Sequence, residues 1–212
     1  MSANFNRIAR AYRWLEYASF GHALERCRFS LLARLHSAQN ALVLGDGDGR
    51  FLQRLLRENS GVNVDTVDAS PAMLQLLTER CGTGRVVTHC ADVLSFTPPR
   101  AEYDCIATHF FLDCLTSEEC AALAPRLREH LVPGGSWIVS EFRVPRGVLR
   151  VPAALLIRAM YAVFRILTGL EPQHLPLYET ALRAAGFDVA EEKIFLRGLL
   201  VAQVWQRDVG LN

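Results

Sequence analysis

The sequence predicts an α/β fold, a mostly parallel sheet covered by helices and closed by an antiparallel hairpin. Three observations predict it. From residue 41, short apolar runs alternate with amphipathic stretches, the pattern of strands joined by crossover helices. The first run ends in three alternating glycines, Gly45-Asp46-Gly47-Asp48-Gly49, which open directly into a helix. The tail FDVAEEKIFLRGLLVAQVWQ splits at Arg197-Gly198 into two strands close enough to form a hairpin, which is antiparallel by construction.

Residues 1–39 come first and read as helical, with apolar positions at helical spacing and aromatics at Phe5, Tyr12, Trp14, Tyr17 and Phe20. The first strand is expected at 41–44, followed by the glycine loop and a helix through about Arg57. A second strand at 62–67 leads to Ser70-Pro71, a good helix start, and a helix to about Arg80. Strands at 85–90 and 103–108 follow, then a helix over 117–130. The turn Pro133-Gly134-Gly135 introduces a fifth strand at 136–142. Beyond it lie an apolar helix over about 151–168 and another over about 177–185, capped by Gly186. The expected organisation is a helical cap over 1–39 and one domain over 40–212, with a helical insertion at about 148–172.

Length and composition agree with one large domain. A chain of 212 residues buries a substantial core. With 23 basic and 22 acidic residues its net charge is +1, so no broad field points to nucleic acid or to an acidic membrane surface. The six cysteines form no CxxC pair and no metal-ligand spacing, which predicts a reduced cytoplasmic protein without a bound metal. MSANFNRIARAYRWLEY lacks the continuous apolar core of a signal peptide. Residues 151–170 come nearest to a membrane segment but contain Arg158 and Arg165, two turns apart on one helical face. Core packing, a lid over an apolar pocket and peripheral membrane contact all fit that pattern, and a homodimer stays open.

The glycine loop lets backbone turn tightly and approach a ligand without Cβ interference. Its place in the first strand-loop-helix unit is where open α/β sheets bind ligands. Asp68 closes the second strand, roughly 20 residues after Gly45, the offset at which an acid accepts hydrogen bonds from ribose hydroxyls. Asp92, just beyond the third strand, is placed to accept from an adenine amine. A dinucleotide would set its pyrophosphate against Asp46 and Asp48, whereas S-adenosylmethionine has no phosphate and carries two cationic groups. The loop charges therefore favour S-adenosylmethionine over a nicotinamide dinucleotide.

These residues resemble the class I S-adenosylmethionine-dependent methyltransferases of small-molecule type, from about residue 38 to the C-terminus. Gly45, Gly47 and Gly49 match that family's cofactor loop, Asp68 in VDTVDASPAML its ribose acid and Asp92 its adenine contact. YDCIATHF, LREHLVPGGSWIVSEF and LRAAGF with the final hairpin match its later motifs. FNRIARAYRWLEY is similar to the helix preceding the core in quinone-type relatives. The resemblance implies a three-layer Rossmann-like sandwich around a seven-stranded sheet with an antiparallel C-terminal strand. It implies a cofactor site of Gly45, Asp46, Gly47, Gly49, Asp68, Ala69, Met73, Asp92, Val93 and Thr108, with S-adenosylhomocysteine as product. The family often has an acid two positions before the first glycine. Val43 stands there, which leaves Asp46 as the candidate for the methionine ammonium.

Methyl transfer from a sulfonium is an in-line displacement, driven largely by alignment and exclusion of water. If the acceptor must lose a proton, His109, just after the fourth strand, is the candidate base. Asp113 and Glu141 are lesser candidates for contacting substrate. The aromatic N-terminal helix and the 151–168 helix are the segments available to close an acceptor pocket, which favours an apolar or aromatic acceptor. A non-catalytic cofactor-binding module and an NAD(P)-dependent oxidoreductase are the alternatives.

Overall fold

A computed structural model of the protein describes residues 17, 20–169 and 172–207. Its strands are β1 (Asn40–Leu44), β2 (Asn63–Asp68), β3 (Val86–Cys90), β4 (Tyr103–His109), β5 (Leu131–Phe142), β6 (Phe187–Phe195) and β7 (Leu200–Arg207). They form one seven-stranded sheet in the order β3-β2-β1-β4-β5-β7-β6. The first five run parallel, and β7 is antiparallel to both β5 and β6. The mixed sheet read from the hairpin is therefore the observed one.

Side-chain alternation explains the three layers. In β1, Ala41 and Val43 face one way and Leu42 and Leu44 the other, and all are fully buried because helices cover both faces. The first face packs on α1 (Ala23–Phe29), α2 (Arg50–Glu58) and α3 (Pro71–Cys81) through Cys27, Phe51, Leu55 and Leu77. The second packs on α4 (Ser117–Glu129) and α6 (Tyr178–Ala184) through Leu123, Leu127, Ala181 and Leu182. Ser70 caps α3 by accepting from the Met73 N–H, with Pro71 as its first residue, as the sequence predicts.

Two expected elements differ. Residues 1–16, 18 and 19 lie outside the described residues, so nearly half of the expected N-terminal helical cap is not part of this description. Within 20–39, α1 ends at Phe29, where the Ser30 hydroxyl donates to the Cys27 carbonyl and breaks the helical run. A short 3-10 turn follows at Leu32–Leu35, and the Asn59 amide donates to the Leu35 and Ala38 carbonyls, tying this segment to α2. In β5, the Pro-Gly-Gly turn does not precede the strand but interrupts it. Leu131 pairs with Tyr103 and Ser136 with Cys105, so residues 132–135 loop out opposite one residue of β4.

Between β5 and α6 runs α5 (Arg150–Thr168), preceded by a 3-10 turn at Gly147–Leu149. Its inner residues Ala153, Ile157 and Tyr161 are buried with Leu199, against Phe20, Cys114 and Leu175. The Tyr161 hydroxyl donates to the Asp113 carbonyl at 2.7 Å. By length and composition, Gly147–Thr168 is long and apolar enough to cross a membrane, the one such helix among the described residues. The sequence places 151–170 nearest to a membrane segment, with Arg158 and Arg165 standing against one.

Candidate cofactor and acceptor site

A cavity of about 340 Å³ opens at the C-terminal ends of the central strands, where the glycine loop, the β2–α3 and β3 loops and the turn after β4 converge. The three glycines have separate reasons to be glycine. Gly45, on the cavity wall, has φ +64°, and a Cβ there would meet Phe111 Cδ2 at 2.1 Å. Gly47 has φ +59° and lies against Met73 Sδ. Gly49 is not on the cavity wall. Its φ is +80°, and a Cβ would strike Leu77 Cγ at 2.8 Å, so it lets α2 close on α3.

The carboxylates of the loop also divide their work. Asp46 lies on the cavity wall, and its Oδ2 accepts from the Leu52 N–H in the first turn of α2. Burial pushes its carboxyl up to about 7, against that hydrogen bond and the Arg28 charge. Asp48 is buried between Arg50, whose Nε lies 2.9 Å from Oδ1, and Arg80, whose guanidinium reaches Oδ2 at 2.8 Å. Asp48 shares the cavity wall with Asp46, but its charge is matched within the protein by those two arginines. Asp68 closes β2 on the wall, accepting from the Ser70 N–H at 2.8 Å and from the Gly47 N–H, while burial pushes it up to about 6. Asp92 is exposed at the cavity edge, its Oδ1 accepting from the Leu94 N–H in a tight local turn. Ala69, Met73 and Val93 complete that side.

The opposite wall is built by the turn that ends β4. His109 Nδ1 lies 2.9 Å from Ser140 Oγ, its ring packs on Phe51, and its Nε2 is buried with no partner. Burial, with the nearby Arg28 charge, holds the imidazole well below its ordinary range, so the ring is neutral at pH 7. Phe110 then adopts φ +53°, a left-handed conformation unusual for a bulky side chain, and Phe111 follows it into the cavity wall. Glu141 holds this strained turn, because its Oε1 accepts from both the Phe111 and Leu112 N–H groups. Burial and the adjacent Asp113 push Glu141 well above the carboxylate range. Neither Glu141 nor Asp113 lines the cavity, and both stand behind its wall.

Glu141→Ala leaves two buried N–H groups unpaired and is expected to destabilise the chain by about 3 kcal/mol in urea unfolding. Glu141→Gln keeps an acceptor oxygen and is expected to cost under ~1 kcal/mol.

Thr108 requires correction. Its side chain is fully buried away from the cavity and accepts the Trp137 indole N–H at 3.0 Å, a core role on the second face of the sheet. Strand alternation explains this, since Thr108 and His109 face opposite sides. Sequence reasoning missed Arg28, buried on α1 and stacked over the Phe110 ring, because nothing local in a helix marks a long-range contact. It also missed the Phe110, Phe111, Cys114, Leu115 and Thr116 wall. The signal for part of that wall was present. Thr116-x-x-Glu119 is a capping box, with Thr116 Oγ1 accepting from the Glu119 N–H and Glu119 Oε2 from the Thr116 N–H, and it fixes where α4 starts at the cavity.

Residues 41–135 match a family model described as a methyltransferase domain. No curated protein matches the chain. Among solved structures, the chain is similar to the N-methyltransferase NodS from Bradyrhizobium japonicum in complex with S-adenosyl-L-homocysteine, with TM-score 0.63, 17% identity and 87% of each chain covered. It is similar to an O-methyltransferase family protein from Burkholderia thailandensis, with TM-score 0.68, 19% identity, and 98% of this chain and 59% of that one covered. It is also similar to an O-methyltransferase family 2 protein from Planctomyces limnophilus in complex with apigenin, with TM-score 0.70, 18% identity, and coverage of 96% and 62%. The chain thus spans about three fifths of these two O-methyltransferases.

Proposed function

We propose, for a chain that carries a class I S-adenosylmethionine-dependent methyltransferase domain, that the cavity binds S-adenosylmethionine and that its methyl group passes to a small apolar or aromatic acceptor. One observation carries the reading. A glycine turn and two half-buried carboxyls, Asp46 and Asp68, face an aromatic turn across one cavity. Desolvated carboxyls with raised pKa suit a ligand bearing hydroxyl donors and positive charge, and a pyrophosphate would meet them as a third anion. In this reading Asp68 accepts from the ribose hydroxyls, Asp92 and Val93 flank the adenine, and Asp46 with the Gly45 and Gly47 backbone receives the methionine end.

Bound there, the cofactor supplies an electrophilic methyl group. The chain's residues align the acceptor and keep water away. Phe110, Phe111, Cys114 and Leu115 give the acceptor end an apolar lining. Helix α1 contributes Arg28 to it, Pro172 lies on its wall, and the Tyr161 hydroxyl of α5 backs the turn. NodS with S-adenosyl-L-homocysteine and the Planctomyces protein with apigenin offer precedents on this fold for the cofactor product and for a flat aromatic ligand. The six unpaired cysteines fit a reducing cytoplasmic setting.

His109 is the proposed proton acceptor. With Nδ1–H donating to Ser140 Oγ, the ring keeps a lone pair on the unpartnered Nε2, and a neutral imidazole needs no prior deprotonation. His109→Phe keeps a ring against Phe51 and removes that lone pair. With labelled S-adenosylmethionine and hydroxyl-bearing aromatic acceptors, turnover is expected to fall by about 100-fold or more, while S-adenosylhomocysteine affinity holds. Equal turnover would assign the ring a packing role only. The primary test is calorimetry with S-adenosylhomocysteine, expected to give binding in about the micromolar range. No binding to it or to S-adenosylmethionine removes the whole reading.

A further inference from the structure

We infer that the outer face of α5 seats this chain on the surface of an anionic phospholipid bilayer. The helix has two apolar faces. The inner one is spent on the fold, while the outer one leaves Val148 93%, Ile166 83%, Val151 67% and Leu155 60% exposed, with Leu156 and Val163 beside them. These residues fall on one side of the helix at successive turns, forming a continuous stripe.

Charge selects the occupant. From Phe142 to Leu170 the sequence contains no Asp or Glu and five arginines. Arg158 and Arg165 edge the stripe along one flank, and Arg146 and Arg150 stand at its N-terminal end, all four exposed. None of them takes part in the ion pairs of the described residues, whereas Arg34, Arg50, Arg54, Arg80, Arg100 and Arg143 do. Apolar side chains flanked by unpaired cations match acyl chains beneath phosphate headgroups. A second copy docking through the same face would bring those arginines no acidic partner from this segment.

Orientation follows from the inner face. Because Ala153, Ile157 and Tyr161 are held in the fold and the Tyr161 hydroxyl is bonded to Asp113, the helix lies along the bilayer surface and does not enter it end-on. Seated this way, the stripe sits on the bilayer while the other face of the same helix backs the cavity wall at Cys114.

Flotation of the full chain with vesicles tests the inference, using phosphatidylcholine alone and phosphatidylcholine with phosphatidylglycerol, at low and high salt. The chain is expected to float with the anionic vesicles and to be released as salt rises. Leu155→Ser with Ile166→Ser is expected to lower partitioning about tenfold or more. Arg158→Ser with Arg165→Ser is expected to lower it ~5-fold per arginine on the anionic vesicles only. All four side chains are exposed, so melting temperature and S-adenosylhomocysteine affinity serve as controls that hold in the variants. Absence of flotation with anionic vesicles at low salt overturns the inference, as does equal flotation of the variants. Self-association that the same variants abolish, without vesicle binding, assigns the face to a second copy instead. Flotation does not depend on cofactor binding, so a failure of the methyltransferase reading shows separately in calorimetry.

Discussion

Gly45→Ala is expected to weaken S-adenosylhomocysteine binding by about two orders of magnitude. Two costs combine. The residue has φ +64°, where a Cβ crowds its own backbone at about 1–2 kcal/mol. The added carbon would also stand 2.1 Å from Phe111 Cδ2 and 2.9 Å from Cγ, so the ring as a whole must leave. It cannot retreat easily, because the Phe111 N–H is fixed on Glu141 and Phe110 before it is already in a left-handed conformation. The open direction is the cavity, and a ring turned there occupies ligand volume. Calorimetry of Gly45→Ala beside Gly45→Ala/Phe111→Ala separates the terms. The double variant is expected to regain part of the affinity by removing the clash while the φ cost stays. If both variants bind as the parent does, the glycine loop and the Phe110–Phe111 turn do not share a ligand.

The contrast between Gly45 and Gly49 shows how far the sequence could be read. The strand, the glycines and the helix were all legible, because apolar period and turn residues are local properties. What each glycine touches is not local. One faces Phe111 and the cavity and another faces Leu77 in the gap between α2 and α3, though the loop spells them identically. Asp48 makes the same point in charge. From sequence it stood as a second carboxylate against phosphate, and Arg80, far along the chain, cancels it. Thr108 was placed at the right strand end but on the wrong face, since a one-residue step in a strand exchanges cavity for core. Arg28 and the Glu141 clasp depend on contacts between distant elements, which residue spacing does not encode. The hairpin succeeded for the opposite reason, being closed by the four residues 196–199 at its own turn.

Asp68→Asn is expected to make the free protein more stable and the cofactor complex weaker, an outcome that distinguishes a ligand-binding acid from a structural one. Burial raises the Asp68 carboxyl from its ordinary 3.8 to about 6 in the fold, so the unfolded chain holds its proton less tightly than the native chain does. Relative to an unperturbed carboxyl, native stability is full below about pH 4. It falls as pH rises from about 4 through about 6, and the whole penalty, about 3 kcal/mol, is present at pH 7. Asparagine is never charged and keeps an oxygen for the Ser70 and Gly47 N–H groups. In urea unfolding at pH 7 it is therefore expected to stabilise the apo chain by about 1–2 kcal/mol, with the gain vanishing near pH 4. Binding runs the other way. In the proposed reading, ribose hydroxyls donating to Asp68 favour its ionised form, so S-adenosylhomocysteine affinity in the parent is expected to fall as pH drops through about 6. In Asp68→Asn it is expected to be ~10–100-fold weaker at pH 7, having lost a charge-assisted acceptor, and free of that pH step. An acid present only to brace the loop would reverse the first result, because its removal would cost stability at pH 7. An acid that touches no ligand would leave the second unchanged. The cost of holding a desolvated carboxyl beside a glycine turn is then the stability this chain gives up to keep a site ready for a nucleoside.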